Sequence, residues 1–268
     1  MVADMSAETR ELNAITVERV DGVVTVTLNR PAKKNAVNSA MWTELLDEFR
    51  RISESVDDRA VVITGEGGNF CSGADLWADP DGQPRHHLAS MRHVGNVCLA
   101  LHRLPQPTIA KVRGVAVGAG LNLALSCDLV VAGPDARFSE IFSKRGLSID
   151  FGGSWLLPRV VGLQRAKELA LFAEIIDAAR AVELGLVNRV VADGDLDEFV
   201  DDWAGRLAGG PPIAMAMTKR LLNNSFNVTL EEALDDEGLS QTVNFGTADT
   251  VEAIGAFGDR RDPVFHGR

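Results

Sequence analysis

Cysteine is scarce in this chain: Cys71, Cys98 and Cys127 are the only three among 268 residues, far apart and in no CxxC pattern. That excludes a disulfide framework and a cysteine-based zinc site, and it suits a reducing compartment. An excess of positive charge is also missing. The formal net charge is −11, which argues against nucleic acid or an anionic membrane as the main partner. An anionic ligand would have to be met by local cations. Long apolar runs are absent too, since the most apolar stretch, residues 114–133, is interrupted by Asn122, Ser126 and Asp128 and reads as core. The opening "MVADMSAETRELNA" has no apolar signal-peptide region, so a cytoplasmic location is expected.

Several chemical motifs are missing as well. "VAVGAGLNLAL" runs strand, glycines, helix, but the third glycine of a dinucleotide fingerprint would fall at Leu123, and no P-loop lysine follows. "FGGSWL" lacks the glycine spacing of a nucleophile elbow around Ser154. His86 and His87 are adjacent without a partner motif, which favours a solvated loop over a metal site. The basic pairs Lys33-Lys34 and Arg260-Arg261 are ordinarily solvated faces. There is no internal repeat.

What is present is an ordinary globular composition, 46% hydrophobic and 24% charged, enough for one large core. "ITVERVDGVVTVTL" is two alternating runs joined by Asp21-Gly22, a hairpin signal. "NSAMWTELLDEFRRISES" places Met41, Leu45, Leu46, Phe49 and Ile52 on one helical face, with Ser39 as a cap. A strand "AVVITG", a loop "NFCSGADL" and a mobile connection over residues 78–87 follow. A helix from about Leu88 to Leu104 should stop before Pro105. Then come one strand over "TIAKVRGVAV", a helix from near Leu121, and a strand in "DLVVAG". Strands alternating with helices imply an α/β fold with a largely parallel sheet. After residue 195 nearly everything is helix-patterned, so residues 1–195 read as the core and 196–268 as a helical C-terminal region that docks on it or on a neighbouring subunit.

Glycine loops can place main-chain N–H groups as well as bind phosphate. "CSGADL" and "VGAGLNL" each run from a loop into a helix, where N–H groups lack partners and the dipole favours negative charge. Two such groups converging on one oxygen stabilise an anion there. Tight turns alone would explain each loop separately.

Taken together, "RPAKKNAVNSAM", "GEGGNFCSGADL", "VRGVAVGAGLNLALSCDLVVAGPDARFSE", "GLVNRVV" and "DRRDPVF" resemble, in order, the crotonase superfamily of enoyl-CoA hydratases and isomerases, over nearly the whole chain from Ile15. The resemblance implies a spiral of ββα units with a C-terminal helical region that builds a homo-oligomer, a trimer or hexamer. It implies an acyl-CoA thioester substrate and no cofactor beyond its coenzyme A moiety. It assigns the N–H groups of Ala74 and Ala119 to an oxyanion hole, and Ala36, Ser72, Asp75 and Leu76 to adenine and pantetheine. Lys33 or Lys34, with Arg260 from this or a neighbouring subunit, would meet the phosphates. The segment 77–94, which should wall the acyl pocket, carries no readable code.

The departures from that pattern decide the chemistry. The family's hydratases are similar in carrying two glutamates; the corresponding positions here are Asn122 and Phe142. Asn122 hydrogen-bonds but takes up no proton, and Phe142 does neither. Glu140 would share a strand face with position 142 but sit several Å out of place. Asp150, in "RGLSIDFGGSWLLPR", stands among apolar residues, where an acid is costly unless used. It resembles the acid of the family's isomerases, which takes a proton from the carbon beside the thioester and returns it two carbons along. Apolar neighbours should raise its pKa and make it a better base. The alternative for Asp150 is a helix N-cap. Three functions are therefore weighed: an acyl-CoA double-bond isomerase, an unusual enoyl-CoA hydratase, and an acyl-CoA binding protein without catalysis.

Overall fold

The computed structural model describes residues 8–76 and 86–268. Its strands are β1 (Glu8–Glu11), β2 (Ile15–Val20), β3 (Val23–Leu28), β4 (Ala60–Gly65), β5 (Thr108–Val112), β6 (Val115–Val117), β7 (Leu129–Ala132), β8 (Arg137–Ser139), β9 (Ile176–Asp177) and β10 (Arg189–Val190). Its α-helices are α1 (Ser39–Glu54), α2 (His87–His102), α3 (Ala119–Leu125), α4 (Gly153–Val161), α5 (Leu163–Phe172), α6 (Ala178–Leu184), α7 (Leu196–Ala208), α8 (Pro212–Asn224), α9 (Leu230–Phe245) and α10 (Ala248–Asp259).

The main sheet has the order β1-β2-β3-β4-β5-β7-β10. Antiparallel pairing holds β1 to β3, and every later neighbour is parallel. Asp21 and Gly22 both have positive φ, 49° and 79°, which is what a two-residue hairpin turn with the right twist needs. Helix α1 buries Met41, Leu45, Leu46, Phe49 and Ile52 as expected. Each contributes about 1.5–3 kcal/mol of apolar burial. The cap is Asn38, whose side chain accepts from Met41 N, so the helix begins one residue earlier than a Ser39 cap requires.

The segment read as one strand, "TIAKVRGVAV", is two. The chain breaks at Arg113-Gly114, where Gly114 has φ +54°, and β6 leaves the main sheet for a second one of order β6-β8-β9. Helix α3 starts two residues before Leu121. Helix α2 ends two residues before Leu104 and begins behind His86, whose Nδ1 accepts from Leu88 N, so His86 is a cap. The expectations for residues 77–85, part of the connection and of the pocket wall, fall outside the described residues.

Helix α7 packs on the main sheet, where Leu196, Val200 and Ala204 meet Val62, Ile109 and Val131. Lys111 and Arg113 add ion pairs to Asp197 at 2.7 and 3.0 Å. Helices α8 to α10 leave Leu222, Leu234, Phe245, Ile254 and Phe257 exposed, as is Phe226 in the connection after α8. Among the described residues, no helix is long and apolar enough to cross a membrane.

Candidate functional site

Two loops from different sheets are brought together by single-residue bridges. Cys71 N–H donates to Val115 O at 2.8 Å, and Val117 N–H donates to Cys71 O at 3.0 Å. Val37 N–H donates to Gly73 O, and Asp75 N–H to Val37 O. In this parallel pairing the flanking residues make the bonds, so Ala74 turns its own N–H away from Val37. Gly73, at φ +96°, permits the approach: a Cβ there would stand 2.9 Å from Val117 O and 3.8 Å from Ala119 N. Ala119 is the first residue of α3, where the helix supplies its N–H no acceptor. Gly118 before it has φ 56° and ψ −125°, a conformation essentially restricted to glycine. A Cβ on Gly118 would lie 3.6 Å from the Phe142 ring, so Phe142 does face this turn.

Behind the turn lies an acid cluster. Asn122, one turn into α3 and fully buried, donates from Nδ2 to Glu140 Oε2 at 3.3 Å and to the Asp150 main-chain O at 3.0 Å. Glu140 Oε1, Asn122 Oδ1 and Asp150 Oδ1 are buried with no hydrogen-bond partner among the described residues. Burial pushes the Asp150 carboxyl up to about 6. Burial also pushes Glu140 up to about 8; the Asn122 hydrogen bond opposes that rise and the Asp150 charge adds to it. Burial thus favours the neutral form at both acids, and more strongly at Glu140 than at Asp150.

Asp150 is not a helix cap. Helix α4 begins at Gly153 behind Gly152, with no side-chain cap bond, and only the main-chain O of Asp150 accepts from Gly153 N. What holds the acid is the next residue. Phe151 has φ +45°, a left-handed conformation costing about 1–2 kcal/mol for a non-glycine residue. Its ring stacks on Trp42 of α1 at 5.2 Å, and its carbonyl accepts from Cys98 Sγ. Gly153 is required for a different reason: a Cβ there would lie 2.4 Å from Asn122 Nδ2.

Sequence reasoning set Glu140 aside as misplaced, and the structure corrects that. Strand β8 ends at Ser139, and Glu140, at φ −84° and ψ 61°, starts a 3-10 turn over Ile141–Arg145. The spacing of a strand therefore no longer applies, and the side chain reaches Asn122.

The residues assigned to the nucleotide end also gather, around the turn at 30–36. Ser72 N–H donates to Lys34 O, and Ser72 Oγ to Lys33 O at 3.1 Å. Buried Asn35 ties the turn to Asn69 O and Glu66 O. Arg30, not anticipated, pairs with Asp75 at 3.0 Å and donates to Ala36 O. Lys33, Lys34 and Leu76 are exposed. Arg260 is not drawn to this group by any described bond: it caps α10 in an exposed position, its N–H donating to Phe257 O. A cavity of about 840 Å³ between α2, α4 and α8 reaches Cys98 and Gly152, but no carboxylate lines it.

Known proteins share this arrangement of chain. The pattern of the enoyl-CoA hydratase/isomerase family matches residues 18–268. The chain is 38% identical over 251 residues to 1,2-epoxyphenylacetyl-CoA isomerase of Escherichia coli (strain K12), covering 92% of this chain and 96% of that protein. It is 33% identical to 4-chlorobenzoyl coenzyme A dehalogenase-2 of Arthrobacter sp, covering 91% and 90%. The crystal structure of enoyl-CoA hydratase from Bacillus anthracis matches with a TM-score of 0.91 at 31% identity, over 96% of this chain and 100% of that one.

Proposed function

Because this chain belongs to the enoyl-CoA hydratase/isomerase family and has the crotonase fold, we propose that it moves a double bond in a 3-enoyl-CoA to the 2-position, with Asp150 as the proton shuttle. The reading is carried by the Asp150 carboxylate, its pKa raised by burial and its Oδ1 unpartnered. The two positions that bear glutamate in the family's hydratases hold Asn122 and Phe142.

The reaction needs one base. The Asp150 carboxylate takes the proton from C2, and the C–H electron pair flows into the thioester to give a dienolate. The N–H groups of Ala74 and Ala119 donate to its oxygen as charge develops there. The acid then returns the proton to C4, and the electrons re-form the thioester carbonyl and a C2–C3 double bond. Ala36, Ser72, Asp75 and Leu76 border the coenzyme A path in this scheme. The exposed Lys33 and Lys34 meet its phosphates, and Arg260 contributes from a neighbouring subunit. Self-association into a trimer or hexamer would cover the apolar faces of α8 to α10.

Replacing Asp150 by Asn keeps shape and removes the base. Isomerase turnover should fall by about 10²- to 10⁴-fold. Exchange of the C2 proton with deuterated solvent should fall with it, while coenzyme A thioester binding persists. A variant exchanging as fast as wild type would sink the assignment.

Hydration is a second reading, favoured by the second carboxyl at Glu140. It predicts formation of a 3-hydroxyacyl-CoA from a 2-enoyl-CoA. The isomerase reading predicts that this product stays at background in an assay where the 3-enoyl-CoA is converted.

A further inference from the structure

Arg30 follows β3 and opens the turn at 30–36, but its contacts reach beyond that turn. Its main-chain N–H donates to Asn35 Oδ1 at 2.9 Å. From the guanidinium, Nη1 donates to Ala36 O and Nη2 to Asp75 Oδ2 at 3.0 Å, the Arg30 and Asp75 side chains being 21% and 11% exposed. A charge-assisted pair shielded this far holds its geometry better than a surface ion pair. Three main-chain bonds zip the same two segments together. Ser72 N–H donates to Lys34 O at 2.9 Å, Val37 N–H to Gly73 O at 2.8 Å and Asp75 N–H to Val37 O at 2.9 Å. Ala74 lies inside that zip with its own N–H outside the pairing. The Arg30 guanidinium closes the zip at the Asp75 end, one residue from that amide.

We propose that Arg30 is a positioning residue for the oxyanion hole: by bridging Ala36 O and Asp75, its guanidinium holds the Ala74 peptide with the N–H aimed at the thioester oxygen. The inference rests on the assignment of the Ala74 and Ala119 N–H groups to that oxygen. Such donors are effective because they are already aimed, so nothing has to reorganise as charge develops. The segment needs an outside tie for this. Gly73, at φ +96°, stands just before the amide, and a glycine resists rotation of the next peptide less than any other residue. Lysine would be a poor substitute, since one ammonium lacks the planar fork that reaches two acceptors at once. The turn on the coenzyme A side has tethers of its own, from Asn35 Nδ2 to Glu66 O and Asn69 O and from Ser72 Oγ to Lys33 O. Loss of the guanidinium should therefore fall on the amide more than on the nucleotide end.

The test reads the thioester oxygen itself as well as turnover. 2,4-Hexadienoyl-CoA absorbs in the near ultraviolet, and hydrogen bonds that polarise its carbonyl move the band to longer wavelength. Wild type should produce that shift on binding. Arg30→Ala should lose about half of the shift or more, and isomerase kcat should fall about 10- to 100-fold, less than the about 10²- to 10³-fold of a deleted oxyanion donor. Affinity for free coenzyme A, which has no thioester oxygen, should hold. Arg30→Lys should lose a smaller share of the shift, and it serves where Arg30→Ala folds poorly. In an Asp75→Asn background, Arg30→Lys should add little, because both changes break one tie. A full shift in either Arg30 variant, even with a lower melting temperature, would make Arg30 a brace for the loop alone and overturn the inference. Additive losses in the Asp75→Asn background would overturn it too. A wild type that shows no shift would remove the oxyanion-hole assignment, and the inference with it. A shift that depends on Arg30 in a protein that isomerises no 3-enoyl-CoA would overturn the isomerase reading and leave this one standing.

Discussion

Glu140→Gln should change how stability depends on pH. In the unfolded chain the carboxyl titrates near 4.5, and in the folded chain it is pushed up to about 8. Below the lower value both states are protonated, and Glu140 contributes its full stability. As pH rises toward the upper value, the unfolded state ionises and the folded state does not. Wild type should lose stability throughout that window, at about 1.4 kcal/mol per pH unit. Over the whole interval the loss approaches about 5 kcal/mol, a large share of the ~5–15 kcal/mol that holds a domain together. Glutamine keeps the hydrogen bond from Asn122 Nδ2 and cannot ionise. The variant should therefore match wild type near pH 4.5, gain on it steadily up to pH 8, and hold a constant margin above that. Urea midpoints at several pH values would read this, with protein concentration fixed because assembly shifts apparent stability. A margin that stays flat between pH 5 and 8 would refute the reasoning, since it would mean that Glu140 ionises in the folded state as it does in water.

Two further outcomes are expected. Gly153→Ala should cost about 1–3 kcal/mol and lower isomerase turnover, because a Cβ would stand 2.4 Å from Asn122 Nδ2 and displace the amide that ties Glu140 to the main chain of Asp150; unchanged urea midpoints and turnover would show that the helix start yields freely. Sedimentation at micromolar concentration should show an oligomer, since Phe257 and Leu230 on the last helices are 87% and 78% exposed, and a stable monomer would count against the proposed assembly.

Much of the scaffold was legible because local signals and tertiary demands agreed. Asp21-Gly22 needs two positive φ values and has them, and the apolar stripe of α1 has a single buried face. Legibility failed where two structures compete for one stretch of letters. Val115 to Val117 continue the β pattern of Thr108 to Val112, and only the turn at Gly114 sends them to another sheet. An aspartate before glycines looks like a cap until the chain spends Phe151 and Gly152 on a left-handed turn. Asp150 could be picked out as an acid in apolar company. Glu140 could not be placed by counting along a strand, because the strand ends one residue earlier. Its one available signal was weaker than that of Asp150: a carboxylate between Phe138 and Phe142, with Arg137 and Lys144 close enough in sequence to suggest partners. Arg30 left no such trace, since its partner Asp75 lies 45 residues away.

The two amides proposed to hold the thioester oxygen, at Ala74 and Ala119, belong to the main chain, and every residue except proline supplies the same N–H. A scan that swaps side chains would therefore pass over Ala74, which is exposed and holds its place through the bonds of Gly73 and Asp75 rather than its own methyl group. At Ala119, which is 2% exposed, the same scan would report crowding and nothing about the amide. Only a change to the backbone itself, such as an ester link or proline at 74, addresses the group in question. Positions of this kind can drift in letter while their contribution stays fixed, so the part of the site least marked by its residues is the part most dependent on the fold.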